Sequence, residues 1–193
     1  MQKNLGIFKK IIKNIFKLKV INHYELNLED GKVLDINAYS VREPFIHKIY
    51  DSFDSMEEDF KKRISEYFGE GKISSFKFRF RVKHHLVASI SDEKLFSFCF
   101  FAANPYRFSL FTLKAYEMYF YDCFTFPEYR GKGAIYSEVN YVIQKYKNLG
   151  YKKVHVEIEQ TNIPSIKAFS KLGFEHSKTY YCVSIFSFCV KRY

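Results

Sequence analysis

No stretch of the chain approaches the roughly 18 consecutive apolar residues that a membrane-spanning helix needs. Lysines also interrupt every early segment that a signal peptide would require to be apolar, so the expected location is cytoplasmic. The four cysteines, Cys99, Cys123, Cys182 and Cys189, contain no Cys-x-x-Cys pair and sit in apolar, strand-like runs. That spacing excludes a zinc ribbon and a disulfide framework, and the cysteines read as reduced core residues. Repeats and low-complexity tracts are absent. Acidic residues are missing from positions 1–20, which carry Lys3, Lys9, Lys10, Lys13, Lys17 and Lys19. Of the formal net charge of +10, only +4 is left for residues 21–193. Basicity is therefore mainly a property of the N-terminal arm. A nucleic-acid partner is not expected, because the lysines cluster in one segment and the aromatic strands lack the spacing of RNA-binding sheets.

Aromatic residues are abundant. With 22 Phe and 16 Tyr among 193 residues and 47% hydrophobic content, the chain has enough apolar surface for one sizeable core. Residues 1–20 are expected to form a basic amphipathic helix, with Phe8, Ile11, Ile12, Ile15 and Phe16 on one face. Such a helix either packs on its own domain or a partner chain, the preferred reading, or makes peripheral contact with the inner face of a membrane. Residues 21–193 are expected as a single domain.

Within that domain, Asp30-Gly31 is a hairpin signal. Apolar spacing from Glu43 to Phe68 predicts helix, broken at Gly69-Glu-Gly71, with Asp54 or Ser55 as a cap. Phe76, Phe78 and Phe80 alternate with Lys77, Arg79 and Arg81, which predicts a strand. Further strands are expected over 85–90, 95–103 and 116–126. After Pro127 the period changes to helix 131–148, strand 152–159, helix 163–172 and strand 178–190.

Between the strand at 116–126 and the helix that follows stands Pro127-Glu-Tyr-Arg-Gly-Lys-Gly133. Gly131 and Gly133 let a ligand approach the backbone. The first N–H groups of the helix have no intrahelical partners, so they form an anion cradle to which Arg130 and Lys132 add charge. The loop is not a Walker A motif, since Lys132 is followed by Gly133 and Ala134. It is not a Rossmann fingerprint either, since Tyr136 stands where a small residue is needed.

This loop resembles the acyl-CoA-binding motif of the GNAT superfamily of N-acetyltransferases. Thr161-Asn-Ile-Pro-Ser-Ile-Lys-Ala-Phe-Ser-Lys-Leu-Gly-Phe174 resembles that superfamily's second signature, in the family's order and separation. Together they cover about residues 116–190. The resemblance implies an α+β fold with a mixed, mostly antiparallel sheet flanked by helices, in which two parallel strands splay apart at the acyl-CoA site after a bulge. Acetyl-CoA or another acyl-CoA would be the co-substrate. Its pantetheine would pair with the backbone of Phe124, Thr125 and Phe126. Its pyrophosphate would rest on the N–H groups of Arg130, Gly131, Lys132, Gly133 and Ala134. Asn162 would cap the next helix and turn toward the pantetheine, with Ser165 and Phe169 lining that side.

The implied reaction is attack of an amine on the acyl thioester, assisted by a carboxylate base. Glu117, Asp122, Glu157 and Glu159 are the candidates; Asp122 stands out as an acid in an aromatic strand, and the other reading of Glu157 and Glu159, as solvated residues, is preferred. Phe169 occupies the place where many members have a proton-donating tyrosine. Tyr180, Tyr181, Ser170 or a water is left for that role. Ile135 stands where Gly or Ala is usual. The acceptor is expected to be a small-molecule, amino-sugar or envelope-linked amine. The alternative is a GNAT-shaped protein that binds acyl-CoA, a membrane surface or a partner without turnover. His84-His85 reads as a surface pair and His155 as an ordinary sheet residue, so no metal is expected.

Overall fold

The computed structural model describes residues 16–29, 45–185 and 188–192. The expected helix over 1–20 lies mostly outside them, as does the Asp30-Gly31 turn. Where the arm comes into view at Phe16 it is already strand β1 (Phe16–Asn27), so the helical reading fails for Phe16–Lys19. A neighbour overrides the local pattern: β1 is hydrogen-bonded antiparallel to β9 (Glu175–Ile185) on one side and to β8 (Lys153–Glu159) on the other.

Eight strands form one sheet in the order β10-β9-β1-β8-β7-β4-β3-β2. The remaining members are β2 (Ile46–Tyr50), β3 (His85–Ser91), β4 (Lys94–Ala102), β7 (Glu117–Thr125) and β10 (Phe188–Arg192). Between β4 and β7 a small ribbon, β5 (Tyr106–Arg107) and β6 (Thr112–Leu113), pairs with itself. Among the described residues every pairing in the large sheet is antiparallel except β7 with β8.

The interior strand β4, between β7 and β3, is buried throughout from Leu95 to Ala102. A strand apolar on both faces needs cover on both. Phe98 and Phe100 face α1 (Glu58–Phe68) and α2 (Glu70–Arg81), while Cys99 and Phe101 face α3 (Ala134–Lys147). A fourth helix, α4 (Ile163–Lys171), joins the α3 side through Phe169.

The Phe76–Arg81 segment is helix, not strand. Ile73, Phe76 and Phe80 lie three and four residues apart and are buried, while Phe78 is half exposed. The same phenylalanines fit a period of two and a helical face, and packing of Phe76 edge-on against Phe98 and Phe100, at 5.3 and 4.6 Å, decides for the helix. Conversely Ile46–Tyr50, read as helix, is the edge strand that pairs with β3. Helix α1 starts later, with Glu57 rather than Asp54 or Ser55 at its N-cap.

Helix α3 carries an ionisable group into the core. Glu138 is fully buried between α3 and the sheet, where Ser97 Oγ donates to its Oε1 at 2.5 Å. Burial pushes its carboxyl from an ordinary 4.5 up to about 8, against the opposing hydrogen bonds of Ser97 and Ser89. The folded state therefore holds a proton that the unfolded chain releases. Stability from this group is complete below the unfolded value and lost as pH rises through the folded one. We predict that stability falls between about pH 4.5 and 8, by an amount on the order of a few kcal/mol. Denaturant unfolding across that window should show the fall in the parent protein and its removal in Glu138→Gln.

Candidate functional site

The site begins with an irregularity in β7. Tyr121 pairs with Phe100 and Phe124 with Phe98, so Asp122 and Cys123 together oppose the single residue Cys99. This is a β-bulge, which turns the strand and ends regular pairing. Asp122 takes a φ of 50°, a left-handed conformation that Asp and Asn tolerate better than most residues.

Its side chain is held from α2. Lys72 Nζ donates to both carboxylate oxygens, at 2.8 and 2.7 Å, and the Arg79 guanidinium donates to Oδ2. Lys72 and Arg79 stand two helical turns apart on one face, so the helix that sequence reading missed is what brings both cations to the bulge. Asp122, proposed as a base, is here the anion of a largely buried ion triad.

Beyond the bulge the parallel strands separate. Pairing of β7 with β8 runs from Glu117 opposite Lys153 to Phe120 opposite Val156 and stops there, although β7 continues to Thr125 and β8 to Glu159. The gap is a cleft of about 180 Å³ walled by Tyr121, Cys123, Glu157 and Ile158, among others. It shares Cys123, Asn162, Ser165 and Phe169 with a larger cleft of about 540 Å³ that reaches the glycine loop.

That loop follows from its residues. Pro127–Tyr129 forms a single 3-10 turn, Arg130 is extended, and Gly131 and Gly133 take φ values of 78° and 83° that favour glycine. Gly133 is the N-cap of α3, which directs the helix's unpaired N–H groups and positive dipole end at the cleft. Arg130 Nε donates to the Thr125 carbonyl at 3.2 Å, bracing the loop on β7. Across the cleft Asn162 caps α4, its side chain accepting from Ser165 N at 3.3 Å.

Of the residues expected around a cofactor, Thr125, Arg130, Gly131, Gly133, Ala134, Asn162, Ser165 and Phe169 line the larger cleft. Phe124 and Phe126 direct their rings to the other face, against Tyr67 at 5.3 and 5.4 Å. The Lys132 ammonium lies 5.4 Å from the Phe96 ring and 5.6 Å from that of Tyr129. Ile135 is half buried against the α3-side core and also lines the cleft, so its bulk is accommodated.

The catalytic candidates fare differently. Glu117 sits at the start of β7, at the far end of the paired segment, and accepts from Lys114 N at 3.0 Å. Tyr180 is buried on β9 with Leu110 and Cys182, away from the cleft. Neither lines the gap, because Glu117 stands in the still-paired part of β7 and Tyr180 lies on β9, which does not border it. Glu157 does reach them. Its side chain is only 11% exposed, it walls the smaller cleft, and Tyr119 Oη donates to its Oε2 at 3.2 Å. Burial, then the Glu157 charge, hold the Tyr119 hydroxyl well above its usual range, so it remains a donor. Glu159 stands at the exposed rim, paired with Lys19 at 3.2 Å.

Sequence reading set Glu157 aside as a solvated strand residue.

The histidines and cysteines also need correction. His84 is buried, with Nδ1 2.6 Å from Tyr121 Oη; burial, then His85 and Arg79, push it down to about 4. Its neighbour His85 keeps a partly exposed position, with Nδ1 2.6 Å from Asp51 Oδ1. Cys99 and Cys123 are joined as a disulfide, S–S 2.06 Å. The bulge is the reason: its extra residue places Cys123 beside Cys99 on the α3 face. Cys182 is buried.

Comparison with known proteins adds to this geometry. The sequence profile of the Acetyltransferase (GNAT) family matches residues 46–174, which contain the bulge, the loop and Asn162. The chain belongs to the GNAT acetyltransferase family. Among solved structures, a tandem GNAT protein from the clavulanic acid biosynthesis pathway superposes with a TM-score of 0.62 at 15% identity, over 91% of this chain and 54% of that one. A GNAT-family acetyltransferase from Colwellia psychrerythraea gives 0.57 at 11% identity, over 91% and 59%. An uncharacterised protein of Methanocaldococcus jannaschii is 50% identical over 40 residues, 21% of this chain and 8% of that protein. The chain thus spans less than two thirds of each. The solved GNAT structures share its fold. No helix among the described residues is long and apolar enough to cross a membrane.

If Asp122 holds the bulge, removing its charge is a stability defect. Asp122→Asn keeps the shape and the tolerance for positive φ, and leaves Lys72 and Arg79 without their anion. We predict a loss of about 1–3 kcal/mol, below the value for a fully buried pair because all three side chains keep some exposure. Thermal unfolding checks it. An unchanged melting temperature with lost activity would instead mark Asp122 as catalytic.

Proposed function

We propose that the protein transfers an acetyl or other acyl group from acyl-CoA to an amine, with the thioester in the cleft between β7 and β8. The observation that supports this most is the continuity of that cleft. The splayed strands offer unpaired backbone for an amide-rich pantetheine arm. The same cleft runs to a glycine loop and helix N-terminus suited to a pyrophosphate.

Carboxylates set the character of the acceptor side. Glu157, Glu159 and Asp122 border the smaller cleft, which favours an acceptor that arrives as an ammonium. Glu157, directly or through one water, takes the proton from that amine. The neutral nitrogen then attacks the thioester carbonyl, whose oxygen is polarised by backbone N–H groups at the bulge. Collapse of the tetrahedral intermediate expels CoA as its thiolate, and the second proton that the nitrogen sheds on bonding to the carbonyl carbon passes through water to the thiolate or to solvent, leaving the neutral amide. A thiol with a pKa near 8.5 leaves readily as the anion at neutral pH, so Phe169 in place of a tyrosine is compatible with turnover. Amino sugars and envelope-linked amines are the first members of the acceptor screen.

Two variants separate binding from chemistry in an assay of released CoA. Gly133→Glu places an anion in the cradle and costs about 1 kcal/mol for its positive φ, so it should stay folded and lose acyl-CoA binding. Glu157→Gln should bind acyl-CoA as the parent does and lose roughly 10²–10⁴ in kcat. Retained binding in the first, or full turnover in the second, would overturn the assignment.

A further inference from the structure

On the sheet face opposite α3, a second group of polar side chains is buried beside the cleft. His23 and Glu25 alternate on β1, and His155 faces them from β8. The two imidazoles are almost fully buried, with side chains 3% and 6% exposed. His23 Nε2 lies 3.1 Å from His155 Nδ1, and Glu25 Oε1 lies 3.5 and 3.7 Å from those two nitrogens. We propose that His23, Glu25 and His155 form a site for a divalent transition cation, with zinc the ion whose chemistry they fit.

Spacing is the first argument. Zinc bonds of about 2.0–2.2 Å at tetrahedral angles put neighbouring ligand atoms about 3.3–3.4 Å apart. The triangle of 3.1, 3.5 and 3.7 Å surrounds that value. Three protein ligands leave the fourth position to water, which can enter from the side of Glu25, whose side chain is 28% exposed.

Proton counting is the second. The outer nitrogens also face carboxylates: His23 Nδ1 is 3.6 Å from Glu157 Oε1, and His155 Nε2 is 3.3 Å from Glu117 Oε2. Both nitrogens, and Glu157 Oε1, are buried without a hydrogen-bond partner. Satisfying the row carboxylate–His23–His155–carboxylate without a metal takes three protons, and two neutral imidazoles carry two. A cation bound between the inner nitrogens removes the need for the middle proton. Each ring then presents its remaining N–H to a carboxylate, the arrangement that usually orients histidine ligands around zinc.

Charge is the third. Glu25, Glu117 and Glu157 surround the pair, and Lys153 is the cation that answers them, at 3.2 Å from Glu25 Oε2. Lys153 uses the oxygen that does not face the histidines. The formal surplus of two negative charges matches a divalent ion.

The test uses the full chain, stripped with a chelator and titrated with Zn²⁺ by calorimetry and with Co²⁺ by visible absorption. One equivalent should bind, Co²⁺ should develop the intense bands of a tetrahedral site, and Zn²⁺ should raise the melting temperature. His155→Gln and Glu25→Gln should each weaken binding at least tenfold, and the outer-shell change Glu117→Gln should weaken it 10–100-fold. Glu25→Gln lies at the partly exposed edge and keeps the test open if the histidine variant does not fold. Absence of binding to the parent chain, or binding undiminished in His155→Gln and Glu25→Gln, would overturn the proposal.

Discussion

The ion triad of Asp122 with Lys72 and Arg79 is the contact on which the functional half of the molecule depends. It fixes an aspartate in a left-handed conformation in the middle of β7. That bulge shifts the register against β4, stops the parallel pairing with β8 after Phe120, and opens the cleft. It also turns Cys123 and Thr125 toward the cleft and carries the chain into Pro127–Tyr129 at the angle that sets α3 beside it. A strained residue at a functional position has to be held by its surroundings, and here two cations from one helix face hold it.

How much was legible in the sequence follows from how local each determinant is. The glycine loop and the Asn162 cap are written in consecutive residues, and the structure has them where the motifs place them, while α3 starts at Ala134 rather than at 131 because Gly131 and Gly133 take left-handed loop conformations. The residues that depend on distant partners were misread. Phe76, Phe78 and Phe80 satisfy both a strand and a helix pattern, and only contact with β4 decides between them. Ile46–Tyr50 has helix-compatible spacing but completes the edge of the sheet beside β3. Asp122 looked like a base because its two cations come from the very helix that was read as a strand. Glu157 looked solvated because nothing local reveals that β8 parts from β7 at that point.

The two faces of the sheet solve the problem of buried polar groups differently. Unpaired polar atoms in a core are costly, and those that persist have a reason. On the α3 face Glu138 is accommodated by carrying a proton, with serines as partners. On the other face Tyr119, Glu157, His23 and His155 lie in a row that includes a residue of the cleft wall, so the surroundings of Glu157 extend along the sheet to β1. That row runs from the smaller cleft to β1, a part of the sheet that neither GNAT signature touches.

Acyl-CoA binding in the cleft between β7 and β8 is measured most directly by calorimetric titration of the 193-residue chain with acetyl-CoA. The predicted result is saturable binding at one site per chain. No binding of acetyl-CoA or of longer acyl-CoAs by a folded sample would contradict it.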